Sequence, residues 1–427
     1  MSDRKHLVPA YGPFAGMRVI DTGSLIAMPF AATLLADFGA EVIHIERPGV
    51  GDTLRVLAPF AKEDGKTVST SWAQDGRNKL SLSLELNLKH PEVKELFYGL
   101  IKEADVFIEN MVWLEKLGIR DEDLLAVNPK LIIAHISGYG NPAFGGLPEY
   151  CDRASYDMIG QAFSGWMGLN GEKDGDPVVG KPWLNDFTSA YAAVFAVLAA
   201  YINVLKGGDG QIVDIAQFEV QASYCCDLYT SYTMADRQNT RSGNKSAAFQ
   251  PYGLFKSKDG YDVAVGAFGP GVYKRAIQAM GFDLEYYNYK DCSSGIEAVA
   301  SEKGRELDAK VIAWCAERTA QEIEDAMAKF KVPCSRVMGA KDCLENPHYQ
   351  SRGDFIIRAA ATSSSTRIRL SARRSPPSAS FPSFPERPAR SGAARPDSAR
   401  TRTISSRASS ATTTPRSNNS EPVDSFD

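Results

Sequence analysis

Histidine is scarce in this chain, five in 427 residues. With no HExxH and no close pair among them, the usual imidazole metal sites have nothing to build on. The seven cysteines are odd in number and scattered, without a CxxC pair. Adjacent Cys225 and Cys226 suit neither a zinc site nor an easy disulfide, and reduced thiols in a cytoplasm fit this usage. GxGxxG and Walker A sequences are both missing, so no dinucleotide is held here by the usual glycines. No uninterrupted apolar run approaches membrane-span length, and residues 187–205 are broken by Thr188, Ser189 and Asn203. The opening MSDRKHLVPAYGPF has no apolar core of the kind a secretory signal needs. Excess positive charge is lacking too: the formal net charge is −4. From Arg358 onward the chain carries 12 Arg against 5 acidic residues, so the rest holds about −11. An acidic body speaks against nucleic acid as the main partner.

What is present is a chain with a real core, 44% apolar and 23% charged. Short apolar runs alternate with helical periodicity. MRVID (17–21), EVIHIE (41–46), NKLSLSLEL (78–86), DVFIEN (105–110) and LIIAHISGYG (131–140) read as strands. Between them lie helical stretches at Ala27–Phe38, stopped by Gly39, at Pro91–Ala104 and at DEDLLAV. This alternation predicts an α/β fold built on a Rossmann-like parallel sheet, with ligand loops at the strand C-termini, starting at Asp21, Arg47, Asn110 and Gly138. Arg47, Arg55, Arg77 and Lys79, in loops after or between strands, are candidate phosphate ligands, although solvated surface cations are the plainer reading of each alone.

The stretch WLNDFTSAYAAVFAVLAAYINVL (183–205) predicts a long helix. Its apolar face is Phe187, Tyr191, Val194, Phe195, Leu198, Ile202 and Leu205, and Asp186 stands at the N-cap. Taken alone, that describes a capped core helix. Residues 1–226 then form a large domain and 227–250 a polar linker. Residues 251–340 form a small α/β domain, with a hairpin around Lys258-Asp259-Gly260, a capping box at Thr319/Glu322 and a strand in VPCSRVM. Residues 341–357 return from it. Residues 358–427, rich in Arg, Ser, Pro and Ala and without Lys, Tyr, Trp, Cys or Met, are expected to be disordered, and read as an out-of-frame translation of a GC-rich gene.

Several stretches together carry a resemblance: GMRVIDTGSLIAMPFAATLLADFGAEVIHIERPGVGD, NPKLIIAHISGYG, RASYDMIGQAFSGWMGLNG, GKPWLNDF with the helix after it, GQIVDIAQFE, and VPCSRVMGAKDCLENPHYQSRGDF. Over about residues 8–356 the chain resembles the type III CoA-transferases (CaiB/BaiF), in their carnitine and bile-acid branch. The resemblance implies a Rossmann-like large domain, a small α/β domain and an interlocked homodimer, in the cytoplasm, with no membrane partner. It implies Asp186 as the catalytic nucleophile and Tyr139 beside it. CoA contacts fall on Ser24, Leu25, Ile26 and Ala27, on Arg47, on Asn78 and Lys79, on Asn110 and Met111, and on Lys116. Ser137 stands where some members carry a lysine. CoA and acyl-CoA are then substrates, with no tightly bound cofactor and no metal.

The implied chemistry moves CoA between carboxylic acids through an aspartyl mixed anhydride and an aspartyl-CoA thioester. That needs an ionised but poorly hydrated carboxylate. Free N–H groups at the helix start favour charge on the carbonyl oxygens, and Gly138 and Gly140 around Tyr139 permit close backbone approach. Phe163, Trp166, Met167 and Trp183 offer a bulky apolar pocket for a bile-acid- or carnitine-like acceptor, or plain core packing. One alternative is an α-methylacyl-CoA racemase-like enzyme, whose catalytic His position falls on Tyr156 here. The other is an inactive acyl-CoA-binding homologue. The glycine-rich small-domain loop of the formyl-CoA branch is missing, with VGAFGPGVYK (265–274) in its place.

Overall fold

The computed structural model describes residues 5–63, 66–111 and 114–352 and two strand pieces near residues 358 and 368. Contacts group Met1–Ser380 into one compact unit and Phe381–Asp427 into another, the latter outside the described residues. The main sheet contains β1 (Arg18–Asp21), β2 (Glu41–Glu46), β5 (Leu80–Ser83), β6 (Val106–Glu109), β7 (Ile132–Ser137) and β8 (Ile212–Ala216). Between β2 and β5 the chain makes a separate hairpin, β3 (Phe60–Glu63) with β4 (Lys66–Ser69). The main sheet runs β5-β2-β1-β6-β7-β8, every pair parallel. Counting only its own strands, that is the 3-2-1-4-5-6 order of doubly wound dinucleotide folds. The order reverses between β1 and β6, where such sheets open a ligand crevice.

The central strands β1, β2, β6 and β7 read as mostly apolar runs because both faces are covered, while β5 at the edge alternates as LSLS. Val19, Val42, Val106, Ile108, Ile132, Ala134 and Ile136 face one core, with the helices Ala27–Asp37 and Leu184–Leu205. Ile20, Ile43, Ile45, Phe107 and Ile133 face the other, with Phe97, Ile101 and Leu124. A separate core surrounds the antiparallel sheet of β9 (Tyr252–Lys256), β10 (Asp262–Gly266) and β11 (Cys334–Arg336). The hairpin turn at 258–260 lies between β9 and β10 as expected, and Thr319 and Glu322 form their capping box.

Four expectations change. The 227–250 segment is not all linker, since Leu228–Ala235 is a helix. The Leu184–Leu205 helix, despite its polar interruptions, is long and apolar enough to cross a membrane by length and composition. The face it turns to the core is only partly the expected one, with Phe187, Val194 and Leu198 packed half-buried against it. Ala190, Ala193, Val197 and Ala200 are buried, whereas Tyr191, Phe195, Ile202 and Leu205 stand exposed, Phe195 by 78%. Small residues let the helix axis approach the sheet and the Ala27–Asp37 helix closely, which large side chains would prevent. In the tail expected to lack structure, Arg358–Ala359 pairs antiparallel with Ile368–Arg369, and the rest lies outside the described residues.

Candidate active site

Asp186 is not the N-cap. The helix begins at Leu184, two residues before it, so Asp186 lies in the first turn, with Trp183 as N-cap in a left-handed conformation (φ 43°) and no capping side chain of its own. A tryptophan offers no acceptor there, so the cap comes from another element. Asp157, opening the helix Asp157–Phe163, accepts through Oδ1 from the amides of Asn185 (2.7 Å) and Asp186 (3.2 Å). Its Oδ2 accepts from Gln161 Nε2 (2.7 Å), which also donates to the Gly180 carbonyl (3.0 Å). Two of the helix-start amides expected to face a developing negative charge are therefore already engaged.

The Asp186 carboxylate turns instead toward the helix Gln217–Ser223. Gln217 Nε2 donates to its Oδ1 at 2.6 Å, and no hydrogen bond among the described residues engages Oδ2. Burial, opposed by the Gln217 bond and helped by the Asp157 charge, pushes the Asp186 carboxyl up to about 6. The three helices meet tightly: a Cβ on Gly160 would lie 1.9 Å from Asn185 Nδ2, so only glycine fits there. Sequence reasoning did not single out Asp157, Gln161 or Gln217. All three lie in stretches that carry the resemblance, but nothing in their local pattern says that they converge on one carboxylate.

Tyr139, in the loop after β7, joins an aromatic cluster with Tyr150, Phe163 and Phe218, its ring 5.1 Å from that of Phe163. Phe163 ends the Asp157 helix and Phe218 follows Gln217, so Tyr139 packs on the two helices whose polar ends hold Asp186. Packing within the protein also calls for the flanking glycines. A Cβ on Gly138 would strike Ser155 Cβ at 2.1 Å, and Gly140 (φ 82°) lies against Asp214. Ser137, at the family's lysine position, accepts the Gly140 amide at 2.8 Å and closes the loop. Trp183 and Phe163 are partly exposed, and Trp166 buries an unpartnered Nε1. Residues 265–274 end β10 and open the helix Gly269–Met280. Tyr156, the alternative proton-transfer position, is 70% exposed.

The residues expected to hold CoA gather largely at the β1/β6 switch point. Ser24 and Asn110 bond reciprocally across it, Ser24 N to Asn110 Oδ1 and Asn110 Nδ2 to Ser24 O, both 2.9 Å. Leu25 takes a positive φ of 66°, and Ile26 and Ala27 open the next helix. Met111 is half-buried beside Asn110, and Lys116 stands exposed on the turn Leu114–Leu117. Asn78 bonds Asp37 (2.8 Å). Of the four candidate cations, Arg55 is paired with Glu46 (2.7 Å) and stacked on Trp72, and Arg77 is paired with Asp37 (2.5 Å). Lys79 is buried, 3.5 Å from Asp21 and donating to the Pro29 carbonyl. Arg47, exposed after β2, is the one of the four with no carboxylate partner among the described residues.

A Rossmann-like sheet with a half-buried aspartate held by Gln217 narrows the field without deciding it. A family model described as CoA-transferase family III matches residues 14–387. The chain belongs to CoA-transferase family III. It is an enzyme, a CoA-transferase, and the match continues past residue 356, where the motifs end. The transferase is 35% identical over 356 residues, 82% of its own length and 76% of the relative's, to the bile acid CoA-transferase BaiK of Clostridium scindens. It is 32% identical to the succinyl-CoA:mesaconate CoA-transferase of Haloarcula marismortui, over 80% of this chain and 84% of that one. In structure it is similar to a CaiB/BaiF family protein from Brucella suis, with TM-score 0.71 and 26% identity over 85% of this chain and 96% of the other.

Proposed function

We propose that this transferase moves CoA from an acyl-CoA to a bulky carboxylic acid of bile-acid or carnitine type, with Asp186 as the nucleophile. The observation that carries the reading is the Asp186 carboxylate itself. It is largely buried, raised toward 6 yet ionised at neutral pH, with one oxygen held by Gln217 and the other without a hydrogen bond among the described residues. Asp186 attacks the donor thioester carbonyl, expelling CoA thiolate and leaving an acyl-aspartyl anhydride. The thiolate then attacks the aspartyl carbonyl, releasing the donor acid and forming an aspartyl-CoA thioester. The acceptor carboxylate attacks that thioester, CoA thiolate leaves, and its return to the acceptor carbonyl frees Asp186. Each acyl transfer conserves the activated bond, so no water or external energy enters. Gln217 Nε2 is placed to stabilise charge developing on the aspartyl oxygen, the part first assigned to the helix amides.

Acyl-CoA binds at the switch-point loops, with unpaired Arg47 on its phosphates and Ser24, Asn110 and Met111 along its arm. Lys79, committed to Asp21, shapes that loop from beneath. The bulky acceptor is supported by the aromatic group around Tyr139 and by the similarity to the bile acid CoA-transferase. The racemase alternative needs an imidazole base. The two buried imidazoles, His44 and His135, are committed to carboxylates instead. The exposed Tyr191, Phe195, Ile202 and Leu205 side chains support the interlocked homodimer, and the six-stranded and three-stranded sheets, each with cores of its own, support the large- and small-domain division. We place the enzyme in the cytoplasm, without a tightly bound cofactor. Incubation with donor acyl-CoA and hydroxylamine tests the central claim. An Asp186 hydroxamate seen by peptide mass spectrometry is the expected product, and its absence while CoA transfer proceeds sinks the nucleophile assignment.

A further inference from the structure

Two histidines, unused by the chemistry, occupy equivalent places in the sheet. Asp21 ends β1 and lies in register with His44 on β2; Glu109 ends β6 and lies in register with His135 on β7. His44 Nδ1 meets Asp21 Oδ2 at 2.7 Å, and its Nε2 faces Asp52 Oδ2 at 3.4 Å. His135 Nδ1 meets Glu109 Oε1, and its Nε2 meets Asp121 Oδ2 at 2.9 Å. Each imidazole thus lies between two carboxylates, one at a strand end and one further along the chain; His135 is hydrogen-bonded to both, and His44 to Asp21 alone, its Nε2 and Asp52 Oδ2 being close without a hydrogen bond. Each strand-end carboxylate uses its other oxygen on the loop that follows. Asp21 Oδ1 accepts the Gly23 amide at 2.9 Å, and Glu109 Oε2 accepts the Met111 amide. Asp52 Oδ1 accepts the Leu54 amide at 2.6 Å, which fixes the loop after β2. The Ser24–Asn110 bonds then join the two units across the switch point.

We propose that His44 and His135 are positioning residues for acyl-CoA, cations that hold the strand-end carboxylates so that the loops at 22–26, 47–55 and 110–111 keep their ligand-binding shape. The proposal rests on the reading of those loops as the CoA site. Its reason is electrostatic. Without the imidazolium, Asp21 and Asp52 are left as buried charges with only Lys79 between them, and Glu109 and Asp121 lose their shared partner. The carboxylates must then protonate or move, and each movement drags a loop amide with it. Among the described residues no group of three such side chains is arranged to hold a metal ion, so the histidines are counter-ions rather than ligands. The charged groups facing His44 are Asp21 on β1, Asp52 after β2 and Lys79 before β5, with the Trp72 ring 6.0 Å away. Those facing His135 are Glu109, Asp121 and, more remotely, Asp214 on β8. The carboxylates hold both imidazoles protonated at neutral pH, His44 up to about 9.

The test uses the full chain carrying His44→Gln, His135→Gln or the milder Asp52→Asn, with Arg47→Ala as a control for the site. Thermal melting establishes which variants are folded. Calorimetry with a thioether analogue of acyl-CoA then gives Kd, and turnover gives KM and kcat separately. The expected result is a rise of about tenfold or more in Kd and KM for the histidine variants, with kcat at saturation within about twofold. Asp52→Asn should move both in the same direction and carries the test if a histidine variant does not fold. Wild-type Kd should also weaken as pH passes 9, and His44→Gln should lose that dependence. Folded variants that melt earlier but keep wild-type Kd and KM would show a merely structural role and overturn the proposal. Unchanged binding in Arg47→Ala would instead overturn the site reading beneath it.

Discussion

Asp186 and Gln217 form the smallest unit in which function is decided. A carboxylate pushed up to about 6 must lose its proton before it can attack, so kcat/KM should fall tenfold per pH unit below about 6 and level off above it. A pH–rate profile flat from 5 to 8 would contradict this. Asp186→Ala should remove turnover by on the order of 10³-fold or more while acyl-CoA still binds, as expected when a group acting only in the chemistry is lost. Gln217→Ala should lower kcat by on the order of 10²-fold with little change in KM, the pattern for a donor that matters when charge develops; steady-state kinetics read both. Stability runs the other way from activity. Because folding raises this carboxyl, the charged form is disfavoured in the native state, and the cost is fully present above pH 6 and gone below pH 4. Asp186→Asn should therefore raise the unfolding free energy at pH 8 by on the order of 1–3 kcal/mol, at 1.36 kcal/mol per pH unit, and not at pH 4, read by denaturant melts at the two pH values.

At the scale of elements, three helix ends and one sheet edge do the positioning. The Asp157 helix caps the Asp186 helix from outside, and Gly160 permits the contact. Gly160→Ala should cost about 1–3 kcal/mol of overpacking and lower kcat as well, because its Cβ would displace Asn185 and the residue after it; chemical denaturation and turnover measure the two effects. The strand-end pairs carry a linkage of opposite sign. His44 and His135 are raised by folding to about 9 and about 10 from an ordinary value near 6.5. Their contribution is fully present below pH 6.5 and lost as pH climbs through 9 and 10. Stability should fall between pH 7 and 10 in the wild type and fall less in His44→Gln, read by denaturant midpoints across that range.

For the whole molecule, the most telling feature is the apolar surface left on the outer face of the Asp186 helix. Tyr191, Phe195, Ile202 and Leu205 run along one side of it and stay exposed, a row too apolar for an isolated surface. In the proposed homodimer a second subunit would cover this row. Sedimentation should give a dimer, and Phe195→Asp should shift the wild-type mass toward the monomer. A wild-type monomer at micromolar concentration would refute the interlocked pair. The same row contributes to the membrane-span composition of this helix: its small residues, with Phe187, Val194 and Leu198, pack against the core, while Tyr191, Phe195, Ile202 and Leu205 face outward.

Local pattern determined most of the architecture. Continuous Val/Ile runs between helical stretches called for a parallel sheet covered on both faces, and the strands at 41–46 and 252–266, the Gly39 stop and the Thr319 box follow from their own residues. The position of Asp186 at the mouth of an apolar helix was legible in the same way, and the combined motifs pointed to its family. What only the tertiary structure decided is which groups complete the site. The cap on the Asp186 helix comes from a residue 29 positions earlier, and its hydrogen-bond donor from one 31 positions later. Neither separation has a periodicity that a sequence displays. Likewise the sequence shows four cations near the loops, and only packing reveals that three have found carboxylates and Arg47 has not. Helix and strand propensities act over a few residues, so they write the elements into the sequence. The pairing of buried polar groups is settled later, by which elements the sheet order brings together, and it is this pairing that fixes the Asp186 carboxylate at an ordinary-looking helix start.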